Sequence, residues 1–251
     1  MVYTIKPILA AALIGLASGF GPADAASASS GQKVVVELFT SQGCSSCPPA
    51  DKYLGELAKH DDVVALSFHV DYWNYIGWRD PYSDPKWTKR QQAYGKNLRK
   101  RYVYTPQMVI DGQTESVGSR RGQVRHLISR AMKSQKLAIE VSHPDHDNLR
   151  IRIPASANHD GAPATVWLVL YDAEHATAVK AGENEGATIT HTNVVRSMSP
   201  VGTWRGKELT LSLMLADFGS AGRDGCAILV QERNIGRILG AVAIPLAKAA
   251  K

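Results

Sequence analysis

The sequence predicts an α/β domain, a mixed sheet flanked by helices, followed by an all-β, sandwich-like C-terminal domain. Strand and helix patterns alternate up to about residue 135, whereas from about Leu137 the runs are strand-like and no helical period stands out. The chain has 251 residues, 44% apolar and 21% charged, which is an ordinary globular composition. We place the domains at residues 33–135 and 137–248, with a boundary near residues 134–137.

The first 26 residues have the pattern of a secretory signal peptide. Lys6 precedes an apolar run over residues 8–20, and Ala23 and Ala25 are the small residues that a signal peptidase reads. A run of thirteen residues is too short to cross a bilayer comfortably, which argues against the alternative of a membrane anchor. We therefore expect a periplasmic or secreted protein with no stable membrane insertion after cleavage near Ala25 or Ala26.

The elements of the first domain follow in order. KVVVELFT is continuous and β-branched, as in a strand buried on both faces, and VVALSFHVDYW is a second such strand. TPQMVIDG and the short ESVGS complete the strands. Helices are predicted for PPADKYLGELAKH, KWTKRQQAYGKNLRKRY and RRGQVRHLISRAMKSQ, whose apolar residues recur at helical spacing. The β-α-β-α-β-β-α order is typical of a compact α/β domain.

The second half contains strand patterns separated by turn residues. LRIRIP and ELTLSLML alternate with period two, and ATVWLVLYD is a continuous apolar run. Together with the spacing of the turns, these runs predict a β-sandwich of seven or eight strands.

The cysteine pair in VELFTSQGCSSCPPAD is the strongest functional signal. Exported proteins meet an oxidising compartment, but this chain has only three cysteines, Cys44, Cys47 and Cys226, so it is not a disulfide-dense scaffold. The Cys-x-x-Cys pair is therefore a redox centre, a structural bridge or part of a metal site. A bridge over so short a loop removes little chain entropy and stabilises little.

The pair falls between the first strand and the first helix, where helix amides favour a thiolate. In this arrangement Cys44 is the exposed nucleophile, and Cys47, one turn deeper, resolves the mixed disulfide. Pro48 and Pro49 are tolerated in the first helical turn. Together with His69, the pair supplies only three ligands for zinc or copper, whereas a closed zinc site requires four.

Two further positions are candidates for the redox site. Thr105-Pro106 opens the third strand, and a cis peptide there would let Thr105 offer its backbone to an extended substrate. Glu37 is the only charged side chain in VVVELFT, and burial there would raise its pKa and allow it to move protons between the thiols. The alternative is that Glu37 is solvated near the strand end or paired with a lysine.

Polar and aromatic residues follow the second strand. Asp71, Trp73 and Trp78 lie at or after its end, where an α/β sheet carries its site, and they are candidates for a peptide-binding rim beside Cys44. Ordinary packing is the alternative for all three.

Three other features have weaker functional interpretations. HPDHD at residues 143–147 is a metal half-site or, more simply, a polar turn. GENEGATITHTNVVR at residues 182–196 is long and polar for a strand pair, and Glu183, Asn184, His191 and Asn193 are candidates for a surface that meets the first domain; the alternative is a hairpin with solvated tips. Cys226 is expected to be a buried free thiol.

The motifs VELFTSQGCSSCPPAD, SFHVDYWNYIGWRDPYS, YTPQMVIDG and GENEGATITHTNVVR together resemble a secreted bacterial family classed as thioredoxin-like and catalogued as domain of unknown function 1223. The resemblance implies a thioredoxin-like first domain and a cis Thr105-Pro106 peptide, but no established reaction. Compared with thioredoxins, Gly43 replaces the usual aromatic residue and Ser45-Ser46 replaces Gly-Pro. Equating Glu37 with their buried acid requires an insertion.

From these observations we expect an exported thiol–disulfide oxidoreductase that needs no cofactor beyond the Cys44–Cys47 pair. Its expected partners are thiol- or disulfide-bearing envelope proteins or a redox donor protein. The net charge of +6 is mild and gives no evidence for nucleic-acid binding. The alternatives are a secreted binding module in which Cys44–Cys47 is a structural disulfide, and a metal-delivery protein that uses the pair.

Overall fold

The structure, a computed structural model, describes residues 27–29, 31, 33–143 and 147–246. The predicted signal peptide lies outside these residues. Within them, no helix is both long enough and apolar enough to cross a membrane.

The first half consists of short strands and three helices, and from Val34 onward they follow the order that the sequence predicts; the first strand, Ser27–Ser29, is not predicted. The elements are β1 (Ser27–Ser29), β2 (Val34–Thr40), α1 (Pro48–Leu57), β3 (Val63–His69), α2 (Pro85–Asn97), β4 (Gln107–Ile110), β5 (Thr114–Val117) and α3 (Arg121–Ala131). Helix α2 begins where Asp84 accepts a hydrogen bond from the Lys86 amide, with Pro85 in its first position.

The second half is almost entirely β-structure. Its strands are β6 (Glu140–Ser142), β7 (Asn148–Ile153), β8 (Ala164–Ala178), β9 (Thr188–Trp204), β10 (Leu209–Met214), β11 (Gly225–Glu232) and β12 (Ile238–Pro245), with a 3₁₀ turn over Leu215–Phe218. The runs LRIRIP, ATVWLVLYD and ELTLSLML predict the cores of β7, β8 and β10, but β8 extends well beyond its apolar run and forms a long hairpin with β9.

The strands form two sheets. One has four strands in the order β1-β6-β7-β10, and the other has eight in the order β12-β11-β8-β9-β3-β2-β4-β5. In the large sheet β2 runs parallel to β3 and antiparallel to β4. Strand β9 joins β3 through the pair Ser67 and Val194, so the large sheet contains strands from both sides of the predicted domain boundary.

Helices cover the first-half strands on both faces. One face packs against α1 and α3 through residues such as Leu38, Leu54 and Ile128. The other face packs against α2 through residues such as Phe39 and Tyr94. In the second half a separate core forms between the four-stranded sheet and strands β8, β11 and β12. The prediction of a mixed α/β protein with a sheet flanked by helices is confirmed at this level.

Candidate functional site

The cysteine pair lies between β2 and α1, where the sequence places it. Cys44 and Cys47 form a disulfide, and Cys47 is the N-cap of α1. The turn is held by two backbone hydrogen bonds, from the Cys44 amide to the Ser41 carbonyl at 3.2 Å and from the Cys47 amide to the Cys44 carbonyl at 3.1 Å. The Ser46 hydroxyl lies 3.4 Å from the Cys44 sulfur. The pair therefore meets the positive end of the helix dipole.

The expected exposure of Cys44 is wrong for this structure. Cys44 is 1% exposed and Cys47 is 0% exposed, although Ser45 and Ser46 between them are open to solvent. The βα turn is open by itself, and Cys44 is buried because a segment from far along the chain folds over it. The sequence predicts that this segment meets the first domain, but not that it covers the cysteine turn.

That segment is the turn of the long hairpin, residues 182–187, which we call the cover loop. The Asn184 side-chain amide donates to the Gln42 carbonyl at 2.8 Å and to the Cys44 carbonyl at 3.0 Å. Glu183 accepts from the Ser45 amide at 3.2 Å. The GENEGATITHTNVVR motif thus meets the first half, as predicted for Glu183, Asn184, His191 and Asn193. Asn193 donates to the Ala65 carbonyl at 2.9 Å, and His191 Nε2 lies 3.2 Å from the Gln42 side-chain nitrogen.

The aromatic segment after β3 closes the other side of the site. Trp73 donates its indole N–H to the Thr105 hydroxyl at 2.7 Å, and Trp78 donates to the Gln42 side chain at 3.0 Å. A Cβ on Gly43 would lie 3.1 Å from the Cβ of Trp73, so Trp73 fills the space beside Gly43.

Asp71 lies at the start of the same segment and forms a hydrogen bond within the chain. Its carboxylate accepts from the Thr88 hydroxyl at 2.5 Å. Because Asp71, Trp73 and Trp78 all bond to other parts of the chain, they brace the site in this structure, and their predicted substrate-binding role stays a prediction.

Thr105 and Pro106 lie at the cysteine end of the sheet. Gln107 pairs with Phe39 in the antiparallel β2–β4 ladder, so the residues before Gln107 face the end of β2 where the cysteine turn begins. The Thr105–Pro106 peptide is cis, as the family resemblance implies.

Glu37 is fully buried and ion-paired, so the alternative of a solvated side chain is wrong. Its carboxylate accepts from Arg90 at 2.8 Å and from the Tyr94 hydroxyl. Burial opposes the charge of Arg90, but the adjacent Glu37 carboxylate raises the pKa of the guanidinium above its usual value. Arg90 and Tyr94 belong to α2, whereas Cys47 begins α1 on the opposite face of the sheet. The proton-transfer role of Glu37 stays a prediction.

A second group of buried ionisable residues lies near the cysteine turn. His69 at the end of β3 bonds Asp80 at 2.7 Å, and Asp80 also accepts from the Gln42 amide at 2.9 Å. The His69 and His191 rings are 4.5 Å apart between centroids, and His191 Nδ1 lies 3.3 Å from Asp51 Oδ1. Burial acts to raise the pKa of Asp80, but His69 and the backbone amides hold it below its usual value.

Sequence reasoning missed Asp51 and Asp80 as members of this group. Asp51 was visible only as the last residue of the cysteine motif, and Asp80 only inside the polar loop before α2. The signal available was that the cysteine motif ends in an acid one helical turn beyond Cys47.

The remaining candidates have definite positions. Cys226 is free and buried, as predicted, and burial raises its pKa to about 12. Three residues of the HPDHD segment, 144–146, lie outside the described residues. Among the residues that the structure describes, no group of three or more histidine, cysteine or acidic side chains is arranged to hold a metal ion.

The fold and the site define a mixed α/β protein that carries a covered Cys-x-x-Cys disulfide at the start of a helix. The chain belongs to the family described as protein of unknown function (DUF1223), whose model matches residues 35–231. A search of curated proteins finds no match.

Two solved structures resemble the chain over most of its length. An Agrobacterium tumefaciens protein, solved by X-ray crystallography in a structural genomics programme, is 32% identical, with a TM-score of 0.74; the match covers 87% of this chain and 96% of that one. HBP35 of Porphyromonas gingivalis is 16% identical, with a TM-score of 0.59 over 87% of this chain and 76% of that one. At that identity the second likeness shows the fold alone.

Proposed function

We propose that this protein is an exported thiol–disulfide oxidoreductase that works through Cys44 and Cys47, with a thioredoxin-like first domain and a sandwich-like C-terminal domain. Its partners are thiol- or disulfide-bearing envelope proteins or a redox donor protein, and the reaction needs no cofactor beyond the cysteine pair.

The observation that carries the proposal is the position of the disulfide. Cys47 is the N-cap residue of α1 in the turn that follows β2, and Thr105–Pro106 comes just before β4, at the end of β2 where that turn begins. A thiolate formed at Cys44 lies at the helix N-terminus, where amides and the dipole stabilise negative charge. Cys44 then attacks a partner sulfur, Cys47 attacks Cys44, and Thr105 offers its backbone to the partner.

The cover loop has to move before this reaction can occur. Thiol–disulfide exchange requires the attacking sulfur to approach one sulfur of the disulfide, and Cys44 is only 1% exposed. The cover loop is attached at this point by three hydrogen bonds, two from Asn184 and one to Glu183. Three bonds of about 1 kcal/mol each can be broken transiently, so the closed state is compatible with turnover.

The burial of both sulfurs also favours a second candidate. In a secreted binding module the Cys44–Cys47 bridge stays oxidised and fixes the turn that the cover loop contacts. Such a bridge is unreactive, with a potential below about −300 mV, because the folded protein holds it closed. For the metal-delivery alternative, the cysteine pair belongs to no group of three or more histidine, cysteine or acidic side chains arranged to hold a metal ion among the described residues.

Reactivity of the full mature protein separates the two candidates. We expect it to catalyse reduction of insulin disulfides by a dithiol, and Cys44→Ser to abolish that catalysis. Cys47→Ser should accumulate mixed disulfides through Cys44, which identify partners in an envelope extract. Cys226→Ser is the matched control, because Cys226 is buried in β11 and should be silent. Wild-type protein that never forms a mixed disulfide supports the structural bridge.

A further inference from the structure

We propose that Asp51 takes the proton of the Cys47 thiol and that His191 positions Asp51 for this transfer. The inference rests on the proposed function and deepens it, because it names the base that activates the resolving cysteine. It also gives a role to His191, a buried histidine of β9.

Helix geometry places Asp51 beside Cys47. Asp51 follows Cys47 by four residues, and its amide donates to the Cys47 carbonyl at 3.1 Å, as in an α-helical turn. Residues four apart lie on one helix face with their Cβ atoms about 5–6 Å apart. Asp51 is 3% exposed, so water does not compete with it for the proton.

Asp51 also differs from the other buried acids in its hydrogen bonding. Its Oδ2 accepts from the Thr40 hydroxyl at 3.2 Å, but its Oδ1 has no hydrogen-bond partner. Both carboxylate oxygens are engaged in the other buried acids of the described residues, which are Glu37, Asp80, Asp111 and Asp172. A buried carboxylate oxygen without a hydrogen-bond partner is costly, and a catalytic role is one explanation for keeping it. Here that role is to accept a proton from Cys47.

His191 is the group nearest to this oxygen. Its Nδ1 lies 3.3 Å from Asp51 Oδ1 without hydrogen-bond geometry, and its Nε2 lies 3.2 Å from the Gln42 side-chain nitrogen. The charged and titratable groups that surround the two residues are His69 on β3, Asp80 on the loop after it, and Tyr82, whose ring lies 6.2 Å from His191. The His191 ring thus packs against Asp51 Oδ1, and Thr40 holds Oδ2, so the two residues together fix the orientation of the carboxylate.

The chemical step balances with a disulfide as the oxidant. The Cys44 thiolate attacks glutathione disulfide, forms a mixed disulfide and releases one glutathione thiolate, which takes a proton from water. Asp51 then removes the Cys47 proton, and the Cys47 thiolate attacks Cys44. The Cys44–Cys47 disulfide forms and the second glutathione leaves with the proton that Asp51 held. Two electrons pass from the cysteine pair to glutathione disulfide.

The test follows both steps in the reduced mature protein. Glutathione disulfide is added, samples are quenched in acid, and mass spectrometry follows the mixed disulfide and its loss. Asp51→Asn should leave formation of the mixed disulfide unchanged and slow its resolution about 10- to 100-fold at pH 7, the range of general-base catalysis. Glu56→Gln, which removes a carboxylate from the outer side of the same helix, should resolve at the wild-type rate. His191→Gln should slow resolution less than Asp51→Asn.

The Asp51→Asn variant tests the inference, and the wild-type protein tests the proposed function. Resolution at the wild-type rate in Asp51→Asn overturns the inference, whereas wild-type protein that forms no mixed disulfide overturns the proposed function instead. If Asp51→Asn fails to fold, the wild-type pH profile decides. With Asp51 as the base, the resolution rate does not follow ionisation of the free thiol and rises by much less than tenfold per pH unit below the thiol pKa, which is about 8.5 in the absence of perturbation. A rate that rises tenfold per pH unit up to that pKa means that the thiol ionises without a base, and overturns the inference.

Discussion

Loosening the cover loop should make the disulfide react faster, and Asn184→Ala is the sharpest perturbation. Asn184 donates to the carbonyls of Gln42 and Cys44 at 2.8 and 3.0 Å, so the substitution removes two of the three hydrogen bonds from the cover loop to the cysteine turn. At about 1 kcal/mol each, their loss favours opening by about 2 kcal/mol. That free energy corresponds to about a 30-fold increase in the open population.

The assay measures reduction of the oxidised protein by excess tris(2-carboxyethyl)phosphine. Samples are quenched with a maleimide, and the mass increase counts the thiols released with time. The first-order rate of Asn184→Ala should exceed the wild-type rate by about 30-fold when opening precedes reduction. Glu185→Ala is the matched control, because Glu185 is an exposed residue of the same loop with no hydrogen bond from its side chain to the cysteine turn.

An unchanged rate in Asn184→Ala would refute the reasoning, since the cover loop would then not limit access to Cys44. A comparable acceleration in Glu185→Ala would also refute it, because any disturbance of the loop would have the same effect. Thermal unfolding of the oxidised variants must remain cooperative for the rates to be compared.

Three further predictions concern the surroundings of the site. Arg90→Met should lower the free energy of unfolding by about 3–5 kcal/mol in urea titrations, because it leaves the buried Glu37 carboxylate without its cation. The double variant Arg90→Met, Glu37→Gln should recover part of this loss. A double variant that recovers nothing would contradict the pairing of Arg90 with Glu37. The folded-state pKa of Asp80 is lowered, so the stability that its carboxylate contributes is present above the unfolded pKa of about 3.9 and is lost as the pH falls through the folded pKa. Asp80→Asn should therefore flatten the decline of stability with falling pH in acid titrations followed by fluorescence. An unchanged slope would contradict this prediction. Cys226, whose pKa is raised to about 12, should resist alkylation by iodoacetamide at pH 8 in the native protein, and rapid labelling would show that β11 opens.

Local patterns in the sequence account for the elements around the cysteine pair. VVVELFT and VVALSFH are unbroken apolar runs, and each forms a strand that is buried along its whole length. The cysteine turn also falls where the sequence predicts it, because a strand pattern, two prolines and a helical period leave one place for it.

The cover over the pair could not be predicted in this way. Asn184 contacts Cys44 across 140 residues of sequence, and no periodicity or motif spacing encodes a contact of that length. The same limit applies to Glu37, whose partner Arg90 lies 53 residues away on another element. A charged residue in a strand shows that some partner exists, but the partner itself is set by the packing of α2.

The sequence also does not show that the two halves share one sheet. Strand β9 joins the first-half sheet through Ser67 and Val194, at the point where its own sequence is polar and carries a buried histidine. The sequence names His191 and Asn193 as candidates for a surface that meets the first domain, but a polar, Thr-rich run does not show that this surface joins a sheet. In the structure His191 is buried and Asn193 is partly buried where the run contacts the first half.

The most direct test of the proposed function is an equilibrium titration of the mature protein against reduced and oxidised glutathione, with the thiols counted by mass after alkylation. We predict a reversible, two-electron exchange at Cys44 and Cys47 with a midpoint above about −300 mV. A pair that remains oxidised at every ratio of glutathione, or that opens only when the protein unfolds, would contradict the account and leave a structural bridge.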